Sequence, residues 1–301
     1  MSIQLMMPFY GDVGLFREAV ASVIKQEDPD WRLVVVDNRY PATEHVEFLE
    51  ELGDERIHYV LNDRNLGIAG NFQRCADLAS GSHAAIIGAD DVLLPNYVGR
   101  VRELAARHPD ATLIQPGVEV IDGDGVPSTQ LVDRVKSWYR PRGRTVELRG
   151  EDLAVSLLRG DWTYFPSLLW SVEFLHAHPF RTGLHVVMDT LAKLEVAYSG
   201  GSLVVDDVVA FRYRRHRASI SSVRAVDGSR FAEERALFAE AAERAEALGW
   251  RRARRVALRH SSSRLNALTR LPAAIAARDG RGLGLLMRHA FGSTRSTESA
   301  A

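Results

Sequence analysis

Apolar runs alternate with amphipathic segments over the first ninety residues. Four short runs, at 3–7, 31–36, 57–61 and 84–87, are typical of buried strands. Between them, apolar residues recur at helical spacing, as they do over 14–25. This alternation predicts an α/β fold with a mostly parallel central sheet and helices on both of its faces.

Polar or turn-forming residues follow each predicted strand. Because the carboxyl ends of parallel strands lie along one edge of a sheet, these residues are expected to line a single crevice, which is where ligands bind in such folds. In chain order the residues are Tyr10 and Asp12, Asp37 and Asn38, Asn62 and Asp63, and Asp90 and Asp91.

The Asp90–Asp91 pair is the most informative of these strand ends. It follows an apolar run that stops at Gly88 and precedes a predicted helix that begins near Pro95. Adjacent carboxylates repel each other unless a cation or hydrogen bonds compensate, and a hard divalent cation suits oxygen ligands. The alternative is a solvated turn that caps the following helix.

Composition excludes several classes of protein. A net charge of −1 over 301 residues argues against a general nucleic-acid binder. A single cysteine, Cys75, excludes an intrachain disulfide and a cysteine-based metal site. The chain has no glycine-rich dinucleotide turn after its first strand and no P-loop. With no signal-like start and no membrane-length apolar run, the expected location is cytoplasmic.

The basic residues are concentrated at the carboxyl end. From Arg251 onward, the sequence contains eleven arginines and only two acidic residues. We expect a basic helical region over 223–292 and a disordered tail over 293–301. The helices either pack on the body with arginines outward, which is slightly favoured, or form an amphipathic surface that meets anionic lipid at the inner face of the plasma membrane.

Over residues 1–222 the chain resembles the family 2 glycosyltransferases, which have the Rossmann-like GT-A fold. Each of the motifs listed below is weak evidence for the family by itself, but their order and spacing together are specific to it. The resemblance divides this part into a nucleotide-sugar half, 1–121, and an acceptor and catalytic-base half, 122–222. The motifs are Met7-Pro8-Phe9-Tyr10, Val34-Val35-Val36-Asp37-Asn38, Asn65-Leu66-Gly67-Ile68-Ala69-Gly70-Asn71, Ile87-Gly88-Ala89-Asp90-Asp91, Phe165-Pro166-Ser167, Val187-Met188-Asp189-Thr190 and Tyr213-Arg214-Arg215-His216.

The resemblance implies a nucleoside diphosphate sugar donor and a Mn²⁺ or Mg²⁺ ion. It implies that Asp37 binds the base, and that Asp91 and His216 hold the metal. Members often carry a further acid where this chain has Gly88. The remaining donor-site residues are Pro8, Phe9 and Tyr10 for the base and ribose, Asn71, Arg74, Ala89 and Asp90 beside the nucleotide or sugar, and Arg214 and Ser221 for phosphate.

The resemblance further implies that Asp189 is the catalytic base of an inverting displacement. The base would take the proton of an acceptor hydroxyl, whose oxygen attacks the anomeric carbon. The alternatives for Asp189 are a helix N-cap or an exposed position. A second acid pair, Asp206–Asp207, is expected in a turn or at the surface.

The acceptor is not legible in the sequence and could be a carbohydrate, a lipid-linked sugar or a small molecule. Trp138, Tyr139, Trp162 and Tyr164 lie in a segment without clear periodicity, where they form either an acceptor platform or core. Asp122 to Gly125 is expected to form a hairpin turn.

Three functions are therefore open. The favoured one is an inverting hexosyl or deoxyhexosyl transferase that uses a UDP- or dTDP-sugar for polysaccharide, cell-envelope glycan or glycosylated-metabolite synthesis. The second is an inactive sugar-nucleotide-binding or scaffold protein. A sugar nucleotidyltransferase is disfavoured, because its glycine-rich loop is missing.

Overall fold

The computed structural model describes residues 2–128, 130–181, 183–184, 186–215, 229–276 and 278–292. Its centre is a nine-stranded sheet with the order β3-β2-β1-β4-β8-β6-β9-β5, and β7 pairs with β9. The strands are β1 Ile3–Phe9, β2 Trp31–Asp37, β3 Ile57–Leu61, β4 His83–Ile86, β5 Val92–Leu93, β6 Leu113–Ile121, β7 Thr145–Arg149, β8 Leu169–Ser171 and β9 Ser202–Arg214.

Helices flank this sheet and continue beyond it. Two large hydrophobic clusters, one built on α3, α6 and α8 and the other on α1 and α4, enclose the strands between them. The helices are α1 Val13–Ile24, α2 Glu44–Leu52, α3 Gly67–Leu78, α4 Tyr97–Arg107, α5 Leu131–Tyr139, α6 Gly150–Arg159, α7 Val172–Ala177, α8 Met188–Tyr198, α9 Ser229–Ala247, α10 Arg251–Arg259, α11 Ser261–Ala276 and α12 Gly280–Phe291. The predicted α/β fold with helices on both faces is confirmed.

The order of the strands brings the predicted site residues to one edge of the sheet. Strands β3, β2, β1 and β4 are all parallel, and the register pairs Phe9 at the end of β1 with Asp37 at the end of β2. Strand β4 lies on the other side of β1 and leads through Gly88 into Asp90–Asp91. The base-binding and acidic candidates therefore flank the same strand.

The segment between 122 and 164 is more regular than its sequence pattern indicates. It contains α5, β7 and α6, which the periodicity did not reveal. Strand β7 alternates between exposed and half-buried positions, so it has no apolar run to recognise. The predicted hairpin turn is present: the Asp122 carbonyl oxygen accepts from the Gly125 N–H at 3.1 Å, and the chain returns to pair Pro127 with Ile121.

The second acid pair lies inside a strand, so the expectation of a turn is wrong. Asp206 and Asp207 are in the middle of β9, and Asp206 is fully buried. Its carboxylate accepts two hydrogen bonds from the Arg100 guanidinium, at 2.8 and 2.6 Å, and one from the Thr145 hydroxyl at 2.9 Å. The surface expectation holds only for Asp207. Asp206 ties α4 and β7 to β9 and is structural.

The carboxyl-terminal helices divide into two groups. Helices α9 and α10 join the body through ion pairs from Arg244 to Glu195 at 2.9 Å and from Arg252 to Glu151 at 3.1 Å. Helices α11 and α12 share a separate small core with Phe231 of α9. No helix of the described residues is long and apolar enough to cross a membrane. Residues 293–301, predicted to be disordered, lie outside the described residues.

Candidate functional site

Asp37 is held rigidly at the end of β2. Its side chain is buried, and one oxygen accepts from the Tyr40 backbone N–H at 2.8 Å. The other oxygen bonds to His45 Nε2 at 2.8 Å and accepts from the Tyr59 hydroxyl at 2.5 Å. Burial and the Asp37 carboxylate raise the pKa of Tyr59, so the hydroxyl stays a donor. Strands β2 and β3 and helix α2 thus fix the carboxylate.

Aromatic rings surround Asp37. Phe9 is buried, with its ring centroid 5.2 Å from Tyr40 and 4.6 Å from His45. Tyr10 is 55% exposed and meets Tyr40 edge-on at 5.6 Å. Pro8 is half-buried. Of the three residues predicted for the base and ribose pocket, Tyr10 therefore has the ring face most open to a ligand.

Asn71 connects α3 to the strand ends. It is buried, its amide donates to the Val36 carbonyl at 3.1 Å, and its oxygen accepts from the Asn62 amide at 2.8 Å. Arg74, one turn later, is exposed. The two residues do share a helix, but Asn71 holds the scaffold and Arg74 is the one that faces solvent.

Asp90 and Asp91 converge on Gly88. A Cβ on Gly88 would collide with Asp91 Oδ2 and lie 2.8 Å from Asp90 Oδ1, so the two carboxylates occupy the space that a side chain there would need. Asp91 is buried and accepts from the Arg214 N–H at 2.8 Å. Burial, and then the charge of Asp90, raise the pKa of Asp91 well above its usual range. Ala89 lies half-buried between these residues.

Arg214 anchors the loop that carries the two acids. Its Nε donates to the Asp90 carbonyl at 2.7 Å, its Nη1 donates to the Gly123 carbonyl at 3.0 Å, and its Nη2 pairs with Glu18 at 2.7 Å. The side chain is only 1% exposed. In this arrangement the guanidinium therefore positions the Asp90–Asp91 loop through protein contacts.

Asp189 lies in the first turn of α8, where Val187 is the cap, so the N-cap alternative is wrong. Its side chain is 31% exposed. One oxygen accepts from the Thr190 N–H at 2.7 Å, and the other pairs with Lys193 Nζ at 3.1 Å. The carboxylate is thus oriented by the protein and still reachable from outside.

Lys193 joins Asp189 to a second acid that sequence reasoning missed. Its ammonium group is buried and donates to Asp161 at 2.6 Å and to the Thr163 hydroxyl at 2.7 Å. Burial lowers the pKa of Lys193, but Asp161 and Asp189 outweigh burial and raise it. Burial likewise opposes ionisation of Asp161, yet the charges of Lys193 and Lys136 hold its pKa low. Asp161, Asp189 and Lys193 therefore form a charged network in which Lys193 supplies the positive charge.

One sequence signal could have found this network. Only three of the 38 basic residues are lysines, and two of them, Lys136 and Lys193, are buried beside Asp161. A compact ammonium in place of the usual guanidinium marks a confined site.

Tyr213 shows that the acids converge. It is largely buried, near the end of β9, and burial followed by the charge of Asp91 raises its pKa. Asp90 and Asp189 act on the same hydroxyl in the same direction. Contacts link the loop after β4 to the first turn of α8 through the end of β9: the Arg214 N–H donates to Asp91 at 2.8 Å, and the Tyr213 ring lies 5.1 Å from Tyr164, next to Thr163, whose hydroxyl binds the Lys193 that pairs with Asp189. His216 and Ser221 lie outside the described residues.

Asp90 and Asp91 fit a divalent ion that is shared with a substrate. The described residues contain no cluster of three acidic, histidine or cysteine side chains that could enclose a metal on their own. Mg²⁺ is usually bound through one or two carboxylates together with substrate phosphates, and Asp90 and Asp91 supply such a pair. The donor set therefore matches Mg²⁺ or Mn²⁺ completed by a diphosphate.

The comparison with protein families decides the family of the chain. The model described as glycosyl transferase family 2 matches residues 5–157, just over half of the chain. The chain belongs to glycosyl transferase family 2. This confirms the resemblance, and the matched segment contains both the Asp37 strand end and the Asp90–Asp91 loop.

Relatives of this family-2 chain include a putative teichuronic acid biosynthesis glycosyltransferase, TuaG, of Bacillus subtilis. It is 29% identical over 136 residues, which is 45% of this chain and 54% of TuaG. The aligned segments span between 34% and 54% of the length of the curated relatives. The matched relatives thus support the family but cover only part of each protein.

Solved structures agree with the fold along most of the chain. S. aureus TarS residues 1–349, solved with UDP-GlcNAc, gives a TM-score of 0.63 at 14% identity and covers 97% of this chain and 93% of that one. GalNAc-T7, solved with UDP, GalNAc and Mn²⁺, gives a TM-score of 0.55 at 15% identity and covers 71% of this chain and 44% of that one. At these identities the likeness shows the fold.

Proposed function

We propose that the chain is an inverting glycosyltransferase that moves a sugar from a UDP- or dTDP-sugar to an acceptor hydroxyl during synthesis of a cell-envelope glycan. One observation supports the proposal: the end of β9 contacts both acidic centres, because the Arg214 N–H donates to Asp91 at 2.8 Å and the Tyr213 ring lies 5.1 Å from Tyr164, next to the Thr163 hydroxyl that binds the lysine partner of Asp189. The TuaG name and the UDP-GlcNAc complex of TarS support the glycan and donor classes.

The donor site lies along the strand ends. As the resemblance implies, Asp37 would bind the imide N–H of a uracil or thymine ring, and exposed Tyr10 provides a ring face beside Tyr40, whose N–H donates to Asp37. Asp90 and Asp91 would hold Mn²⁺ or Mg²⁺ against the diphosphate, with His216 as the further ligand that the resemblance implies. The ion supplies electrophilic stabilisation of the departing diphosphate.

The base is prepared by its neighbours. Lys193 pairs with Asp189 at 3.1 Å, and the Thr190 N–H fixes the orientation of its carboxylate. The exposed part of Asp189 accepts the proton of the acceptor hydroxyl, and that oxygen attacks the anomeric carbon as the bond to the diphosphate breaks. Displacement from the opposite face inverts the configuration.

Donor hydrolysis tests this proposal. The full chain is incubated with Mn²⁺ and a panel of UDP-, dTDP- and GDP-sugars, and release of the nucleoside diphosphate is measured. We expect slow hydrolysis of one UDP- or dTDP-sugar. Binding without hydrolysis of any donor would favour the alternative, an inactive sugar-nucleotide-binding or scaffold protein.

A matched pair of variants tests the base. Asp189→Asn should bind UDP as tightly as the unmodified chain and lose turnover by about 10²- to 10⁴-fold, the usual contribution of a general base. Asp207→Asn, which changes an exposed acid on β9, should have unchanged turnover. Equal turnover in both variants would remove Asp189 from the mechanism.

Contact with a membrane surface stays a prediction. Helix α10 buries Ala253 and Ala257 and exposes Arg251, Arg255 and Arg259. Such a face suits anionic headgroups near a lipid-linked acceptor. Sedimentation of the chain with phosphatidylglycerol vesicles, and not with phosphatidylcholine vesicles, would support it.

A further inference from the structure

A cavity of about 360 Å³ opens on the acceptor side of the molecule. Its walls come from β6, α5, the turn at 127–128 and the segment at 162–164, which precedes the short 3₁₀ turn at Phe165–Ser167. The volume is within the range of small-molecule sites. Among the described residues, none of the donor-site residues predicted from the sequence lines this cavity, so the cavity is distinct from that part of the donor site.

Two buried oxygens in the cavity wall need hydrogen-bond donors. Gln115 Oε1 and Asp133 Oδ2 have no partner among the described residues, although Gln115 is 1% exposed and the Asp133 side chain 8%. The other Asp133 oxygen is already used by the Tyr164 hydroxyl at 3.1 Å and by Arg215 at 2.6 Å. A buried acceptor without a donor is costly, and the hydroxyl groups of a sugar ring would supply the missing donors.

The charges in the wall leave a positive excess. The two acids that line the cavity are each paired with an arginine that does not line it: Asp133 with Arg215 at 2.6 Å and Glu119 with Arg212 at 2.8 Å. The lining cations do not have such partners. These cations are Arg134, Lys136 and Arg140, and within the described part of the chain none of them forms an ion pair with a carboxylate within 4 Å; Arg140 donates to the Asp206 carbonyl instead.

Lys136 is oriented by neutral groups. Its ammonium donates to the Thr163 carbonyl at 3.0 Å and lies 4.4 Å from the centre of the Tyr164 ring. Asp161 and Asp189 act on its charge, but neither forms an ion pair with it within 4 Å. A ligand with an anionic oxygen would complete the coordination of Lys136 and Arg134.

The cavity adjoins the proposed base. Thr163 accepts from Lys136 through its carbonyl and from Lys193 through its hydroxyl, and Lys193 in turn pairs with Asp189. The Tyr164 ring lies 5.1 Å from that of Tyr213, the tyrosine on which the three acids act. A ligand in the cavity would therefore lie beside the reacting centre.

We propose that this cavity is the acceptor subsite and that it selects a sugar ring carrying a negatively charged group, either a carboxylate or a phosphate. Ring hydroxyls donate to Gln115 and Asp133, and the anionic group binds Arg134 and Lys136. The inference rests on the proposed function and adds to it the charge class of the acceptor.

Three probes test the subsite on the full chain saturated with UDP and Mn²⁺, so that the donor site is filled. Glucuronate carries a carboxylate, glucose 6-phosphate a phosphate, and methyl glucoside neither. Calorimetric titration should give at least one anionic probe a roughly tenfold or greater advantage over methyl glucoside. The preferred anion then identifies the acceptor as a uronate or a phosphate ester.

Two variants locate the preference. Arg134→Gln should reduce the advantage of the anionic probe to about twofold or less and leave methyl glucoside binding unchanged. Arg32→Gln, which alters an exposed arginine on β2, should keep the full advantage. Lys136→Gln provides a second removal of charge from the cavity wall, should Arg134→Gln fold poorly.

Equal binding of all three probes, or an anion preference that survives the loss of Arg134 and of Lys136, would overturn the subsite. Donor hydrolysis separates the two proposals. If hydrolysis persists while the preference is absent, only the subsite is wrong; if no donor is hydrolysed while the preference is present, the cavity binds anionic sugars but is not an acceptor site.

Discussion

The two acidic centres of the cleft are built in opposite ways. At the end of β4, Asp90 and Asp91 crowd together, and burial and mutual repulsion raise the pKa of Asp91. At the start of α8, Asp189 and Asp161 share the buried cation Lys193, and the pKa of Asp161 is held low despite burial. The first centre places two carboxylates side by side, whereas the second is built around a buried ammonium group.

The difference in charge corresponds to a difference in chemistry. Like charges held close together form a site for an added cation, so the Asp90–Asp91 pair suits a metal that arrives with a diphosphate. Asp189 already pairs with a lysine and is held by the Thr190 N–H, and a carboxylate fixed in this way suits proton transfer from a hydroxyl bound beside it. Breaking each centre should therefore have opposite consequences.

The largest effect is expected from Lys193→Met. It removes the buried ammonium that Asp161 and Asp189 share, and removal of one partner of a buried ion pair costs about 3–5 kcal/mol. The free energy of unfolding from urea denaturation should fall by that amount. Lys25→Met, at an exposed lysine, is the control and should change it by less than about 0.5 kcal/mol. A decrease in the free energy of unfolding of less than about 1 kcal/mol for Lys193→Met would show that Asp161 and Asp189 do not depend on the Lys193 ammonium for their stability.

Gly88→Ala should disturb the first centre by overpacking. The added Cβ would occupy space that the Asp90 and Asp91 carboxylates fill, at a cost of about 1–3 kcal/mol. Denaturation should show this loss, and Mn²⁺-dependent UDP binding should weaken as the carboxylates move. Gly11→Ala is the matched control, because a Cβ on Gly11 meets no atom within 4 Å. Equal results for the two glycines would contradict the crowded geometry at Gly88.

Asp91→Asn should have the opposite sign to Lys193→Met. The amide keeps the shape of the side chain. It removes both the repulsion from Asp90 and the cost of burying a charged group, so the free energy of unfolding should be unchanged or rise by about 1 kcal/mol. Metal-dependent UDP binding should nevertheless weaken by about tenfold or more. Calorimetric titration with and without Mn²⁺ measures this. A clear loss of stability would mean that the two centres do not differ in the way described.

The smallest expected effect is the pH dependence of ligand binding at Lys136, which lies next to the second centre. Burial lowers the pKa of Lys136 to about 8. Lys136 is therefore charged below this pH and becomes neutral as the pH rises through it. Glucuronate, whose own charge is constant over this range, should bind a few-fold more weakly at pH 9 than at pH 7. In Lys136→Gln the decline should vanish, and a decline that persists there would assign it to another group.

Sequence patterns reveal the first centre much better than the second. The Asp90–Asp91 pair follows a buried strand directly, so the local sequence predicts both where the pair lies in the fold and that it can bind a cation. Asp161 lies in irregular chain between α6 and the 3₁₀ turn, and its partner Lys193 is thirty-two residues further on. No local pattern links them, because the ion pair forms only when α8 packs against that segment.

For two of the residues discussed above, the burial and the contacts could not be predicted from the sequence. Arg214 follows an apolar strand in a basic cluster, which favoured a phosphate contact, yet the fold buries its guanidinium among Glu18, the Asp90 carbonyl and the Gly123 carbonyl. Asp206 likewise has the sequence context of a surface turn, and only the packing of α4 against β9 makes it a buried partner of Arg100.

The sequence alone determined the alternation of strands and helices over the first hundred residues, the acids and amides at the strand ends, and the family, because these depend on residues that are close together in the chain. The tertiary structure decided which acids share a cation, which are left to repel each other, and where a cavity with unpaired oxygens opens. Those properties depend on desolvation and on distances between residues far apart in sequence, and both exist only after the elements have packed.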